Sequence, residues 1–132
     1  MRNDNLTDML LRIKNGQKAG HKIVKLRAPI SNMCIEVLKL LMREGYISTY
    51  FIANKNPLTV EVYLKYGEFG KPVITQITRI SKNGSRVYVG LKGLWNNNNG
   101  AVVLVLTTPK GIMTDSEAKQ NGIGGEVLFI IK

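Results

Sequence analysis

The sequence changes character at Gly67-Glu68-Phe69-Gly70-Lys71-Pro72, and the patterns on either side of this segment decide the fold class. Two glycines and a proline within six residues are typical of a turn at a domain boundary. Helical and strand patterns alternate before the segment, whereas strand patterns dominate after it. The sequence therefore predicts an α+β protein with two small lobes, residues 1–66 and residues 73–132, whose boundary lies near residues 67–72.

The first lobe has the predicted element order α-β-α-β-β. Its first helix spans the hydrophobic repeat from Leu6 to Ile13 and is expected to stop at Gly16. The second helix is expected to follow an N-cap at Ser31 and to end with Gly45 at the C′ position. The three predicted strands are residues 22–27, 47–54 and 59–66, and a turn at residues 55–58 joins the last two.

The second lobe is predicted to be mostly β with one short helix. Thr114-Asp115-Ser116-Glu117 matches the Ser/Thr-x-x-Glu capping box that begins a helix, and Gly122 is expected to end it. Asn83-Gly84 is a strong signal for a tight turn. Residues 90–100 are predicted to form a loop. The predicted strands of this lobe are residues 73–80, 86–89, 101–106 and 127–131.

Charge placement favours a polyanionic partner. The 132 residues include 19 Lys and Arg against 9 Asp and Glu, a formal net charge of +10. Six basic residues and no acid lie within residues 12–27, and six more with no acid lie within residues 69–114. Such stretches can follow a phosphate backbone, so nucleic acid is the favoured partner over a merely solvated basic face. A membrane-surface helix fits less well, because the first helix is weakly basic and the second carries acids.

The residue content argues against several classes of function. Cys34 is the only cysteine, which excludes an internal disulfide framework and a Cys-rich zinc module. His21 is the only histidine and lies far from Cys34 in sequence, so a Cys/His nucleophile pair has no support. No apolar run has the length of a bilayer span, and no signal core precedes the first helix, so an organellar protein would be made in place or already processed. We therefore expect no enzyme, cofactor, metal, small-molecule substrate or membrane partner.

The segment Thr107-Thr108-Pro109-Lys110-Gly111-Ile112-Met113-Thr114-Asp115 follows a predicted buried strand and precedes the capped helix. The hydroxyls of Thr107 and Thr108 can donate hydrogen bonds to nucleic acid or accept them, and Lys110 supplies a positive charge. Gly111 would let the backbone approach a ligand closely. The alternative is an ordinary strand-to-helix connection, and residue spacing alone does not decide between the two interpretations.

Ordered blocks of sequence carry a family resemblance from Asp4 to Ile131. These blocks are residues 7–16, 38–47, 64–66, 79–88, 107–111 and 122–126. Their order and spacing resemble the bacterial-type small-subunit ribosomal protein eight family. The resemblance implies a structural constituent of the small ribosomal subunit that binds a helical element in the central domain of small-subunit ribosomal RNA and organises assembly of that domain. Neighbouring small-subunit ribosomal proteins are implied as partners, and a homo-oligomer is not.

The resemblance also implies which residues bind RNA. The main surface would lie on the second lobe, with a smaller contribution from the first. The implied residues are Arg12, Lys14, Asn15, Tyr88, Thr107, Thr108, Lys110, Gly111, Gly124, Gly125 and Glu126.

Side-chain chemistry suggests roles for some of these residues. Lys82, Arg86 and Lys110 are expected to pair with phosphates. Tyr88 is a candidate for stacking or ribose packing, with a core position as the alternative. Glu126 is expected to orient the Thr hydroxyls from behind, in preference to accepting from a base amino group.

The chain also departs from the family pattern. Pro109 stands where the family has a second Ser, which removes a hydroxyl and a backbone N–H donor. Asn83 replaces a usual Pro, and Leu11 stands where Thr is frequent. The Asn96–Asn99 tract suggests an AT-biased organellar coding sequence. We therefore expect a ribosome of the mitochondrial matrix, with the plastid stroma and the bacterial cytoplasm as alternatives.

Overall fold

The computed structural model describes residues 5–27, 29–53, 58–82, 84–96 and 102–132. Within these ranges the chain forms four α-helices, one short 3₁₀ turn and two antiparallel sheets, which confirms the α+β prediction. The described residues divide into two compact units, residues 5–75 and residues 76–132. The segment around residues 67–72 therefore lies inside the first unit, and the division follows it by a few residues.

The first unit has the predicted order α-β-α-β-β. Its three strands form one antiparallel sheet with β3 in the middle, in the order β1-β3-β2. The elements are α1 (Asn5–Lys18), β1 (Ile23–Arg27), α2 (Asn32–Arg43), β2 (Ile47–Ala53) and β3 (Thr59–Leu64).

Local capping signals in the first unit are confirmed. The Ser31 hydroxyl accepts a hydrogen bond from the backbone N–H of Cys34 at 3.2 Å and so caps α2. Gly45 adopts a left-handed backbone just after α2, as expected for a C′ glycine. The predicted stop at Gly16 is wrong, because α1 continues to Lys18. A Cβ atom at Gly16 would lie 2.5 Å from Val24 Cγ2, so the glycine lets α1 approach β1 closely.

The core of the first unit lies between the two helices and one face of the sheet. Burial alternates along β1 and β3, as expected for a sheet with one covered face. The buried apolar side chains are Leu6, Met9, Leu10, Ile13, Val24, Leu26, Cys34, Val37, Leu38, Leu40, Leu41, Ile47, Val60, Val62, Leu64 and Ile74.

A buried glutamine closes the end of the first unit. The side-chain amide of Gln17 donates to the carbonyl of Lys65 at 2.6 Å and accepts from the backbone N–H of Ile74 at 3.2 Å. Both polar ends of this buried side chain are therefore paired. Gln17 ties together the two ends of the segment between residues 65 and 74, which contains the 3₁₀ turn Glu68–Gly70.

The second unit contains one antiparallel sheet covered on one face by two short helices. The sheet order is β4-β8-β6-β7, and β5 also pairs with β8. Its elements are β4 (Ile77–Arg79), β5 (Tyr88–Val89), α3 (Leu91–Asn96), β6 (Val103–Thr108), β7 (Gly111–Thr114), α4 (Asp115–Asn121) and β8 (Gly125–Ile131).

Several boundaries in this unit differ from the prediction. The strands expected at residues 73–80 and 86–89 shorten to β4 and β5, because regular pairing with β8 covers only these residues. The loop expected at residues 90–100 contains α3, whose Leu94 is buried in the core. The predicted loop 107–115 is instead the end of β6, a tight turn and β7. The predictions for residues 54–57, 83 and 97–101 concern positions outside the described residues.

The capping box of α4 is confirmed. The Thr114 hydroxyl accepts from the N–H of Glu117, whose carboxylate accepts from the N–H of Thr114. Gly122 ends the helix in a left-handed conformation. With α3, this helix covers a core built from Leu94, Leu104, Leu106, Met113, Ala118 and Val127.

Candidate nucleic-acid interface

Three separate parts of the second unit line one open groove of about 570 Å³. The parts are the end of β5, the β6–β7 turn and the start of β8. Six of the predicted RNA-binding residues are brought together here. The lining residues are Tyr88, Val89, Gly90, Thr107, Thr108, Pro109, Gly124, Gly125 and Glu126.

Strand register places three of these side chains in one row. Glu126 on β8 lies opposite Tyr88 on β5 and opposite Thr107 on β6. Directly opposed residues of antiparallel strands project from the same face of a sheet. Tyr88 is 70% exposed, so it is not a core residue. The row thus presents a ring, a carboxylate and a hydroxyl on one face.

Gly124 and Gly125 allow the neighbouring strands to approach closely. A Cβ atom on Gly124 would lie 2.2 Å from the carbonyl oxygen of Val89, and one on Gly125 would lie 2.3 Å from that of Thr107. Both contacts are with backbone, which cannot move aside as a flexible side chain can. The glycine pair is therefore needed to build the groove, whatever it contacts in a ligand.

The Thr108 hydroxyl holds the turn between β6 and β7. It donates to the Gly111 carbonyl at 2.8 Å and accepts from the Lys110 N–H at 3.1 Å. These bonds leave Lys110 exposed at the tip. Thr107 differs, because its hydroxyl has no hydrogen-bond partner in the described part of the chain. Pro109 adds an apolar ring to the edge of the groove.

Glu126 pairs with Arg86. Its carboxylate accepts from Arg86 Nη1 at 3.0 Å, with 11% of the Glu126 side chain exposed against 53% of the Arg86 side chain. The prediction that Glu126 orients the Thr hydroxyls is wrong, since the Thr108 hydroxyl bonds within its own turn. The ion pair neutralises an acid that would otherwise repel phosphate from the groove.

Sequence reasoning missed the role of Ser81. This buried side chain accepts from the Val87 N–H at 2.9 Å and donates to the Val87 carbonyl at 3.2 Å. Between Ser81 and Val87, the backbones of Lys82 and Ser85 form two hydrogen bonds with each other. The resulting hairpin presents Lys82 and Arg86 at the surface. A small hydroxyl residue just before an Asn-Gly turn was the available signal.

The three RNA-binding residues predicted in the first unit lie on α1. Arg12, Lys14 and Asn15 are all exposed. Arg12 lines a separate depression of about 210 Å³ in this unit, together with Asp8 and Arg27. The lining of the groove comes from the second unit alone. The predicted RNA-binding residues thus come from both units.

Among the described residues, no three His, Cys, Asp or Glu side chains are grouped so that they could hold a metal ion. None of the helices in these ranges has the length and apolar character needed to cross a membrane.

Comparisons with known proteins show the family to which the chain belongs. Residues 4–131 match the family described as Ribosomal protein S8, which is structural and non-enzymatic. The small ribosomal subunit protein uS8 of Shewanella piezotolerans is 44% identical over 128 residues, covering 97% of this chain and 96% of the relative. The uS8 protein of Geotalea uraniireducens is 45% identical over 129 residues, covering 97% of this chain and 96% of the relative. The uS8 protein of Koribacter versatilis is 42% identical over 126 residues, covering 95% of this chain and 93% of the relative. The chain belongs to the ribosomal protein S8 family.

Proposed function

We propose that this protein is a structural constituent of the small ribosomal subunit that binds a helical element in the central domain of small-subunit ribosomal RNA. The observation that carries the proposal is the groove between β5, β6 and β8, where residues from three parts of the chain converge. Binding there would hold the RNA element in shape and so organise assembly of the domain around it.

The groove has the chemistry to recognise helical RNA by shape. An RNA helix offers a wide, shallow minor groove lined with 2′-hydroxyls. The Thr107 hydroxyl can donate to or accept from such a group, and the Thr108 oxygen has one lone pair beyond its bond from Lys110. The exposed Tyr88 ring can pack against a ribose or an unstacked base.

Cations around the groove supply affinity. Lys82, Arg86 and Lys110 are exposed and are proposed to contact phosphates. Pairing with Glu126 holds the guanidinium of Arg86 in a fixed position. Arg12, Lys14 and Asn15 on α1 are proposed as a second, smaller RNA contact.

The same proposal covers partners and location. Neighbouring small-subunit ribosomal proteins are the expected protein partners, with no homo-oligomer, membrane or small-molecule substrate. The ribosome is the proposed location. The Asn96–Asn99 tract favours the mitochondrial matrix, which stays a prediction, with the plastid stroma and the bacterial cytoplasm as alternatives. The relatives compared above are bacterial. The genome that encodes the chain decides among them.

A filter-binding experiment tests the proposal. The full chain is titrated against a helical fragment of the central domain and against an unrelated RNA hairpin of equal length. We expect at least about a hundredfold preference for the central-domain helix. Tyr88→Ala should weaken this binding by about tenfold. Trp95→Ala is the matched control, because Trp95 is an exposed aromatic residue of the same unit that does not line the groove.

The outcomes separate the possible failures. Equal affinity for the two RNAs would contradict recognition of a particular element. An equal loss in the Tyr88 and Trp95 variants would remove recognition from the groove. Sedimentation with anionic vesicles, if stronger than RNA binding, would favour a membrane surface instead.

A further inference from the structure

Phe69 combines nearly complete exposure with a strained backbone. Its side chain is 95% exposed, the largest value among the exposed large hydrophobic residues of the described ranges. Its φ and ψ angles are 60° and 26°, in the left-handed region, and every other described residue with positive φ is a glycine. A phenylalanine is disfavoured in this conformation by contact of its Cβ atom with the backbone.

The loop that carries Phe69 is closed at its base. The Gly67 N–H donates to the Lys71 carbonyl at 2.7 Å, and Tyr66 and Pro72 form an isolated β-bridge. Just beyond the bridge, Gln17 ties residues 65 and 74 together. The ring is thus displayed on a constrained loop, and a constrained group loses little conformational freedom when it binds.

Neither property of Phe69 helps the isolated chain to fold. The exposed ring buries almost no apolar surface, and the left-handed backbone is unfavourable for it. We infer that Phe69 is an anchor that inserts into an apolar pocket of a neighbouring basic protein in the small subunit, with a Lys or Arg at the pocket rim facing Glu68. This inference rests on the proposed function, because that function brings the neighbour into reach.

The acid Glu68 is the immediate neighbour of the ring, whereas the exposed Lys71 lies at the closed base of the loop. This arrangement favours a protein over RNA. Glu68 directly precedes Phe69, is exposed and has no ion-pair partner in the described ranges. Phosphates drawn to the ring would meet this carboxylate, and like charges repel. In the RNA-binding groove, by contrast, the acid Glu126 is neutralised by Arg86. A pocket with a basic rim would satisfy both the ring and the carboxylate.

Photo-crosslinking in assembled small subunits tests this inference. Phe69 is replaced by p-benzoylphenylalanine, the chain is incorporated into small subunits, and the irradiated products are identified by mass spectrometry. A crosslink to one protein of the subunit is expected. A crosslink to ribosomal RNA, or none in fully incorporated chains, would overturn the inference.

A substitution separates stability from association. Asn adopts the left-handed region more readily than Phe, so Phe69→Asn should raise the thermal midpoint by about 2–4 °C. The same variant should lose to the wild-type chain by about tenfold when the two compete for incorporation. Phe51→Asn is the control, because Phe51 is exposed on regular β2 and packs edge-on against Tyr63. It should lower the midpoint and compete equally.

RNA binding distinguishes failure of the proposed function from failure of the anchor role of Phe69. The Phe69→Asn chain should bind the central-domain helix as tightly as the wild type. If the wild-type chain does not bind that RNA at all, the proposed function fails. If both chains bind it and compete equally for incorporation, only the anchor role of Phe69 is overturned.

Discussion

The groove of the second unit and the α1 surface of the first present the proposed RNA-binding groups in different ways. In the groove, Glu126 is paired with Arg86 from beside it, and the Thr108 hydroxyl is held by two bonds within its turn. On α1, Arg12 and Lys14 are exposed and form no ion pair in the described ranges. Groups with fixed geometry can discriminate among RNA shapes, whereas exposed charges without an ion pair chiefly supply affinity. If the proposed function is correct, we expect the groove to supply selectivity and α1 to supply general attraction to RNA.

Salt should have the largest effect, because it acts on both surfaces. If about six phosphates are neutralised, raising the salt concentration from roughly 50 to 200 mM should weaken RNA binding about a thousandfold. Filter binding across a salt series measures the slope. Tyr88→Ala should keep the wild-type slope, since its ring neutralises no phosphate. A salt-insensitive wild type would contradict phosphate contacts on either surface.

The second-largest effect is expected from adding a side chain at Gly125, between the strands that build the groove. Gly125→Ala places a Cβ atom against the carbonyl oxygen of Thr107, so the free energy of unfolding should fall by roughly 1–3 kcal/mol. Urea denaturation measures this loss. Gly90→Ala is the control, because a Cβ atom there meets no heavy atom within 4 Å. Equal stability of the two variants would contradict the close strand approach that builds the groove.

Variants of Thr107 and Thr108 test whether holding the turn and contacting RNA are separate roles. Thr108→Val removes both bonds that close the β6–β7 turn and should weaken RNA binding and protein stability by about 1–2 kcal/mol each. Thr107→Val should weaken binding by about 1 kcal/mol and leave stability unchanged, because its hydroxyl has no partner in the described ranges. Filter binding and urea denaturation together read out the difference. Identical behaviour of the two variants would remove the distinction between holding the turn and contacting RNA.

The smallest effect is expected on α1. Lys14→Gln should weaken RNA binding by less than about 1 kcal/mol, equally for all RNAs, and should reduce the salt slope by about one. Lys39→Gln is a matched control, because Lys39 is an exposed helical lysine paired with Glu36. A sequence-specific loss in the Lys14 variant would show that α1 also discriminates.

Signals that act within a few residues were predictable from the sequence. Ser31, Gly45 and the Thr114–Glu117 capping box behave as expected, because each acts on its own helix end. The extent of β4 and β5 was not predictable, since it depends on which residues reach β8. The helix α3 was missed for a similar reason. Its six residues lack a strong local pattern, and burial of Leu94 in the core favours the helix.

At the candidate site, too, local chemistry was predictable from the sequence and long-range contacts were not. Family resemblance named Tyr88, Thr107 and Glu126, but their common row depends on pairing between distant strands. The partner of Glu126 was assigned incorrectly, because sequence order does not reveal that Arg86 lies within reach. Residue chemistry thus predicted which groups take part, and long-range strand pairing determines what each group contacts.

The amide of Gln17 also has a consequence for sequence variation. It holds the carbonyl of Lys65 and the N–H of Ile74 at fixed positions, independent of what lies between them. We therefore expect insertions, deletions or substitutions between these two residues to be absorbed within the segment, without shifting β3. Gln17 thus acts as an internal tie between the end of β3 and the chain that follows the 3₁₀ turn.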